Sequence, residues 1–325
     1  MLCTTAVIAT TTITTTTTAA AATTTAATTT AAAAADDDDR PIGSVVKHLY
    51  AKAQNWTLPP ADVMVSQWSP PESVQHLWMG GGGFGYGNPK VRVVSRTMYE
   101  ADGLPNNWLN AFPQIDEVWL PSEWNKRVFV KDGLDPAKIH VIGEGVDSLN
   151  VFNPSKYSRP RARGQLLKKE EVGTFVFLSV FKFETRKGWQ DLVTAFFLEF
   201  KPEDKVTLLL RTSLDDANER RFADFCEALC SDHSLPPSCL LDPDHQNARR
   251  LRIMPRVPEH RYPEMYRAAD SFVLASHGEG WGRPMMEAMA MELPSIATNY
   301  SGTPTSTSFR HRFSTPLPPP HTRAV

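Results

Sequence analysis

Ser276-His277-Gly278-Glu279-Gly280-Trp281-Gly282-Arg283-Pro284-Met285-Met286-Glu287 decides the reading of this chain. The apolar run before it, 271–275, predicts a short buried strand. Glycines at 278, 280 and 282 predict a loop in which a ligand can approach the backbone closely. Pro284 is favoured at the first helical position and opens a Met- and Ala-rich stretch that predicts a helix, with Glu287 in its first turn. The unit is therefore strand, glycine loop and helix N-terminus, where free N–H groups and the helix dipole favour an anion. Two carboxylates, Glu279 and Glu287, stand eight positions apart within it.

Spacing alone leaves a plainer reading open. Glu287 then complements the helix dipole and Glu279 is a solvated loop residue. The surrounding string, with GWGRP inside and EAMA after, favours a ligand site. Paired carboxylates repel a bare phosphate but suit a ligand with both phosphate and hydroxyls, such as a nucleotide sugar. The stretch resembles the E-x7-E signature of retaining glycosyltransferases of the GT-B fold, family four in particular. That resemblance implies that Glu279 lies at the transferred sugar and that Glu287 holds the ribose hydroxyls. Gly280, Trp281, Gly282, Arg283 and Pro284, between the two, join the donor-binding candidates.

Upstream, a strand predicted over 174–180 is followed by FKFETRKGWQDL. Basic residues after a strand, with Lys187-Gly188 opening a helix, form a phosphate site of the expected kind. The resemblance implies that a basic residue and a lysine five positions later bracket the diphosphate, and Lys182 and Lys187 match that spacing. The family more often has Arg at the first of these. Arg186 is a further candidate without a family counterpart. The bland alternative is an ordinary solvated turn.

A length of 325 residues suggests two domains. Apolar content of 41% and charged content of 22% are those of a globular protein. Asp36 to Asp39 hold four of the 36 acids, leaving 34 basic against 32 acidic residues elsewhere. That balance argues against nucleic-acid binding. Cys3, Cys226, Cys230 and Cys239 form neither a disulfide framework nor a zinc site by spacing and are read as reduced thiols. No apolar run has the ~18 residues of a membrane-spanning helix.

Residues 1–39 are almost wholly Thr and Ala, ending in four Asp, and predict disorder. The expected location is cytoplasmic, with plastid or secretory targeting by this tract left open. Residues 40–153 predict an α/β domain on the acceptor side. Its strands are expected at 62–66, around Val93, at 117–120 and at 138–142. Its helices are expected at 45–54, 104–112 and 123–133, the last capped by Ser122. An Arg-, Lys- and Pro-rich segment, 154–172, reads as a linker. Residues 173–304 repeat the alternation, with strands at 174–180, 206–211, 271–275 and 294–298. Helices are expected at 189–200, 215–230 and 262–269, besides the one opened by Pro284. Alternation of this kind implies parallel sheets. Two doubly wound sheets in tandem suit a GT-B arrangement, with a cleft at the strands' C-terminal ends.

RTMYEADGLPNNW and DEVWLPSEWNKRVFVKDGLDPAKIHVIGEGVD also resemble family-four segments. Glu100 and Asp102, beside a turn, are acceptor-side candidates, with capping and turn chemistry as the alternative. Gly80 to Asn88 lacks the G-x-G-x-x-G order and reads as a loop. His277 borders the signature loop, within reach of a phosphate or sugar. His76 and His140 stay outside the site.

The resemblance covers about 91–304. The first sheet is expected to be incomplete, and 305–325 to be an irregular tail without a core pattern. The resemblance implies transfer, with retention, from a nucleoside diphosphate sugar to a hydroxyl acceptor. No cofactor and no metal site are expected, the cationic side chains neutralising the leaving group. The alternatives are a non-catalytic relative that binds nucleotide or a partner, and a GT-B epimerase or phosphorylase.

Overall fold

A computed structural model describes residues 63–67, 69–71 and 92–303. The tract 1–39, the helix expected at 45–54, His76, the loop Gly80 to Asn88 and the tail 305–325 lie outside the described residues. The described chain forms two compact units divided between Ile142 and Gly143.

The first unit holds four parallel strands in the order β1-β2-β3-β4: β1 (Val63–Ser66), β2 (Arg92–Arg96), β3 (Glu117–Leu120) and β4 (Ile139–Val141). Val118 and Leu120 are fully buried while Glu117 and Trp119 alternate with them, the period of two that a strand imposes. The helix expected at 104–112 is shorter. It is α1 (Asn106–Leu109), followed by a 3-10 turn, Phe112–Gln114. Pro113 is the reason, since it lacks an N–H and disfavours helical backbone at the residue before it. Helix α2 (Glu123–Lys131) starts where Ser122 accepts the Asn125 N–H at 3.1 Å, and the chain leaves it at Gly133, whose φ is +103°.

The second unit is a five-stranded parallel sheet flanked by helices. Its strands are β5 (Phe175–Val180), β6 (Val206–Arg211), β7 (Leu251–Ile253), β8 (Ser271–Leu274) and β9 (Ser295–Ala297). Its helices are α3 (Arg159–Leu166), α4 (Trp189–Glu199), α5 (Asp216–Asp232), α6 (Tyr262–Ala268) and α7 (Arg283–Ala290). The spatial order is β7-β6-β5-β8-β9. The chain steps outward from β5 to β7, then returns to the other side of β5 for β8 and β9. This is the doubly wound order, and it reverses between β5 and β8. Trp189, Val193, Phe196, Phe222 and Cys226 of α4 and α5 pack with Leu208 and Leu210 on one face. Met265, Tyr266, Met285 and Ala288 of α6 and α7 pack with Val176, Leu178, Val180 and Leu209 on the other.

Three features depart from the sequence reading. The segment 154–172, read as a linker, carries α3 and is tied into the second unit. Arg163 donates to Asp270 and to the carbonyls of Ala268, Val172 and Thr174 at 2.8–2.9 Å, and Arg159 also pairs with Asp270. Arg159 and Arg163 are anchors rather than solvated linker charges. Strand β7 was not foreseen, because Arg252 sits at its centre. Glu171, 2% exposed, receives Arg252 through two bonds of 2.6 and 2.7 Å and makes that arginine tolerable in a sheet. Finally, Cys230 and Cys239 are not reduced thiols but a disulfide, with Cα atoms 6.0 Å apart. The turn Pro237–Leu240 brings Cys239 back onto α5, a contact that sequence spacing cannot reveal. Cys226 is free and buried, and desolvation followed by the Glu227 charge pushes its thiol up to about 12.

Candidate functional site

The reversal between β5 and β8 brings two loops together at the strands' carboxyl ends, the place where open α/β sheets hold ligands. The loop after β5 contains Lys182, Glu184, Arg186 and Lys187 and ends at Gly188. The loop after β8 contains His277, Glu279, Gly280, Trp281 and Gly282. Backbone bonds stitch them: the His277 N–H donates to the Arg186 carbonyl at 2.8 Å, and Arg186 donates back to the Gly278 carbonyl. Gly188 has φ +62°, and a Cβ there would lie 2.0 Å from the Ala275 carbonyl oxygen. Only glycine permits that approach.

Lys187 and Glu279 meet across this junction. The ammonium lies 2.7 Å from Oε1, with side-chain exposures of 14% and 9%. Glu279 is thus buried and paired, not a solvated loop residue. A third loop, after β9, holds its backbone. Ser301 Oγ accepts the Glu279 N–H at 3.2 Å and donates to the Glu279 carbonyl at 2.6 Å, while the Gly302 N–H donates to that carbonyl at 2.8 Å.

Lys182 is exposed and reaches Glu184 at 2.8 Å, and Arg186 reaches the same carboxylate at 3.2 Å. The Lys182 hydrogen bond, with the charges of Lys182, Arg186 and Lys187, holds the Glu184 carboxyl below its ordinary value against partial burial. The three cations foreseen as a phosphate site therefore surround an internal anion. Glu184 was missed in the sequence, although it stands in the middle of FKFETRKG.

Glu287 lies on α7, but in its second turn, because the helix begins at Arg283 and Pro284 is its second residue. It is largely buried. Oε2 accepts the Tyr266 hydroxyl at 2.8 Å, and Oε1 is 3.8 Å from Arg283. Burial pushes its carboxyl above the ordinary value, against the Tyr266 bond and the Arg283 charge. Burial, then the Glu287 charge, pushes the Tyr266 phenol far up as well. Tyr266 carried no sequence signal beyond its apolar helix. Gly282, φ +88°, is the N-cap of α7. The Trp281 ring is used in packing: Nε1 donates to Met286 Sδ, and a Cβ on Gly143 would lie 2.9 Å from the ring. His277 pairs with Asp191 at 2.7 Å.

In the first unit, Lys131 donates to the Asp102 carbonyl and Asp132 accepts the Leu104 N–H at 2.6 Å, the bonds of a fastened turn. His140 lies 3.4 Å from Glu117, which also takes Arg92 at 2.6 Å and the Trp119 N–H at 2.9 Å. Among the described residues no group of three or more His, Cys, Asp or Glu converges as a metal site would require. No described helix is long and apolar enough to cross a membrane.

Residues 240–308 match the sequence profile of the family described as glycosyl transferases group 1. The D-inositol 3-phosphate glycosyltransferase of Streptosporangium roseum is 29% identical over 174 residues, 52% of this chain and 36% of that protein. The mannosylfructose-phosphate synthase of Agrobacterium fabrum is 26% identical over 182 residues, 54% of this chain and 36% of that protein. The matched part of this chain spans about a third of the length of these curated relatives. Among solved structures, Anabaena HepE, crystallised with UDP and glucose, superposes with a TM-score of 0.62 at 14% identity, over 85% of this chain and 70% of that one. A Rickettsia africae glycosyltransferase superposes at 0.58 and 16% identity, over 87% and 70%. The matched segment is therefore similar to the group 1 glycosyl transferases, and the fold is similar to that of solved glycosyltransferases.

Proposed function

We propose that this chain takes part in transferring a sugar, with retention, from a nucleoside diphosphate sugar to a hydroxyl acceptor. One observation carries the reading. A cation and a carboxylate from two different loops, Lys187 and Glu279, meet at the reversal of the sheet, beside the start of α4. The solved HepE complexes, which hold UDP, glucose or UDP-glucose on the same fold, support it.

In this reading the diphosphate displaces the Glu184 carboxylate from Lys182 and Arg186 and draws Lys187 from Glu279. The bond between the anomeric carbon and the phosphate oxygen breaks, and its electron pair passes to the diphosphate. The three cations neutralise that charge, each well-placed donor being worth roughly 3 kcal/mol. Glu279, released from Lys187, accepts hydrogen bonds from the sugar hydroxyls, and Glu287 accepts from the ribose. The acceptor hydroxyl attacks the face the diphosphate leaves, and its proton departs with that group. Neither glutamate is assigned the nucleophile or acid of a hydrolase pair.

Calorimetry with nucleoside diphosphates tests the assignment. Lys187→Ala weakens binding at least tenfold, or about 1.4 kcal/mol. Unchanged affinity overturns the phosphate site. Transfer or donor hydrolysis persists in excess EDTA. Complete loss, restored by Mn²⁺ or Mg²⁺, would show that a metal rather than the lysines carries the charge.

A further inference from the structure

The hydroxyl of Tyr266 is a buried polar group that packing alone does not require. The residue is 0% exposed. Its ring meets Phe152 edge-on and Phe272 at a tilt, each with centroids 6.0 Å apart. A phenylalanine ring would make the same contacts. Burial, then the Glu287 charge, keeps the phenol protonated, so it is a donor. Its acceptor is Glu287 Oε2, at 2.8 Å and 21 positions along the chain.

This bond makes the two oxygens of Glu287 unequal. Oε2 is taken by the phenol. Oε1 lies 3.8 Å from Arg283, too far for a hydrogen bond, and the Arg283 side chain is 62% exposed. Oε1 is not sealed in. Ser179 Oγ and Arg211 Nε are buried without a partner, whereas Oε1 is not among such atoms and reaches solvent. The last torsion of a glutamate is broad and roughly two-fold, so a carboxylate with no anchor presents either oxygen. Here one oxygen is held from inside the core, and the other faces outward from the second turn of α7.

We propose that Tyr266 is a positioning residue for the donor: its hydroxyl anchors Glu287 Oε2 and so aims Oε1 at the ribose hydroxyls. The inference rests on the donor reading above, and adds which oxygen meets the ribose and what fixes it. Tyr266 itself touches no part of the donor, and its effect passes through Glu287. A phenol that only filled the core would affect every ligand alike. A positioning phenol affects only ligands that carry ribose hydroxyls.

The test is calorimetry of the full chain. UDP, GDP and ADP are titrated first, and the tightest of them is compared with its 2′,3′-dideoxy form and with inorganic pyrophosphate. In wild type the dideoxy form binds about tenfold more weakly, the scale of a lost hydrogen bond to a charged group. Tyr266→Phe keeps the ring and removes one oxygen. It weakens the ribonucleotide about fivefold and leaves the dideoxy form and pyrophosphate within about twofold of wild type. If that variant does not fold, 3-fluorotyrosine incorporated in place of Tyr266 carries the test. Its fluorine resonance shifts when the ribonucleotide binds and stays in place with the dideoxy form. Equal weakening of all three ligands in Tyr266→Phe, an unchanged or tighter ribonucleotide, or a fluorine resonance that responds to both nucleotides alike overturns the proposal and leaves the donor reading standing. A wild type that binds the dideoxy form as tightly as the ribonucleotide removes the ribose role of Glu287 and this inference with it. Absence of binding by UDP, GDP and ADP sinks the donor reading as a whole.

Discussion

Replacing Lys187 by methionine removes the partner of a carboxylate that the fold has nearly closed off. Glu279 retains its backbone bonds to Ser301 and Gly302, so its position holds while its charge loses compensation. Side-chain exposures of 14% and 9% place the pair among buried rather than surface ion pairs. Breaking one partner of such a pair costs about 3 kcal/mol, the lower end of the usual range. Glu279→Gln costs less, about 1.5 kcal/mol, because the amide oxygen still accepts from Lys187. The double variant lacks the stranded charge, so the two effects do not add, and a coupling of about 2 kcal/mol is expected. Hydrogen–deuterium exchange of the β5 and β8 amides is the suitable assay, because it reports the second unit by itself. A coupling below about 0.5 kcal/mol, typical of exposed pairs, would refute the argument.

The same pair has a consequence for binding. If a diphosphate must share the Lys187 ammonium with Glu279, removing the competitor strengthens binding of a free nucleoside diphosphate. Glu279→Gln then tightens it by about threefold to tenfold, up to about 1.4 kcal/mol, while Lys187→Ala weakens it. A glutamate that touched only the sugar would leave the free nucleotide unaffected. Weakening in both variants would show that the ion pair is part of the site's scaffold rather than a contest for Lys187.

Asp270→Asn should destabilise the second unit by about 1.5 kcal/mol, since one acceptor oxygen remains while Arg163 and Arg159 lose their shared charge. Burial pushes Asp270 up, but the Val176 N–H, then Arg163 and Arg159, bring it below its ordinary 3.8, so the wild-type advantage holds above that pH and fades as pH falls below it. Gly188→Ala should cost more than about 2 kcal/mol in thermal unfolding, combining left-handed backbone with a clash against a carbonyl; a smaller loss would mean the loops separate easily. Glu287→Gln should stabilise the ligand-free chain at pH 7. The carboxyl is raised above 4.5 in the fold, so its neutral form is favoured, and the variant's advantage appears as pH rises through that raised value and vanishes below 4.5. An advantage that grew towards acid would reverse the sign and the explanation. In every case the comparison is with wild type at the same pH.

The strands and helices of the second unit were legible because strand and helix periods alternate cleanly from 174 onward, and Asp215 and Gly188 mark helix starts. The signature loop was legible for another reason: Gly282 takes a left-handed backbone at the start of α7. What sequence could not show are pairings across distance. Glu171 lies 81 positions from Arg252, Tyr266 lies 21 from Glu287, and Lys187 lies 92 from Glu279. Charge-rich segments look solvated until a partner is found, which is why α3 read as a linker and β7 went unseen. Glu184 shows the complementary error. Attention to cations hid the anion among them.

The spacing of the two glutamates has a physical sense once their partners are known. Gly282 turns the chain into α7 through a left-handed backbone, so Glu279 stays in the loop and Glu287 falls in the second helical turn. The first is held by a cation from the neighbouring loop. The second is held by a phenol from a neighbouring helix, in surroundings that favour its neutral form. Two carboxylates so close in sequence are therefore held by different kinds of partner. A shorter spacer would return Glu287 to the first turn, beside the N–H groups that would hold it ionised. It would also move the carboxylate out of reach of Tyr266. One turn deeper, burial raises its pKa and the Tyr266 hydroxyl occupies one oxygen, Oε2. The ribose hydroxyls can still find an acceptor there.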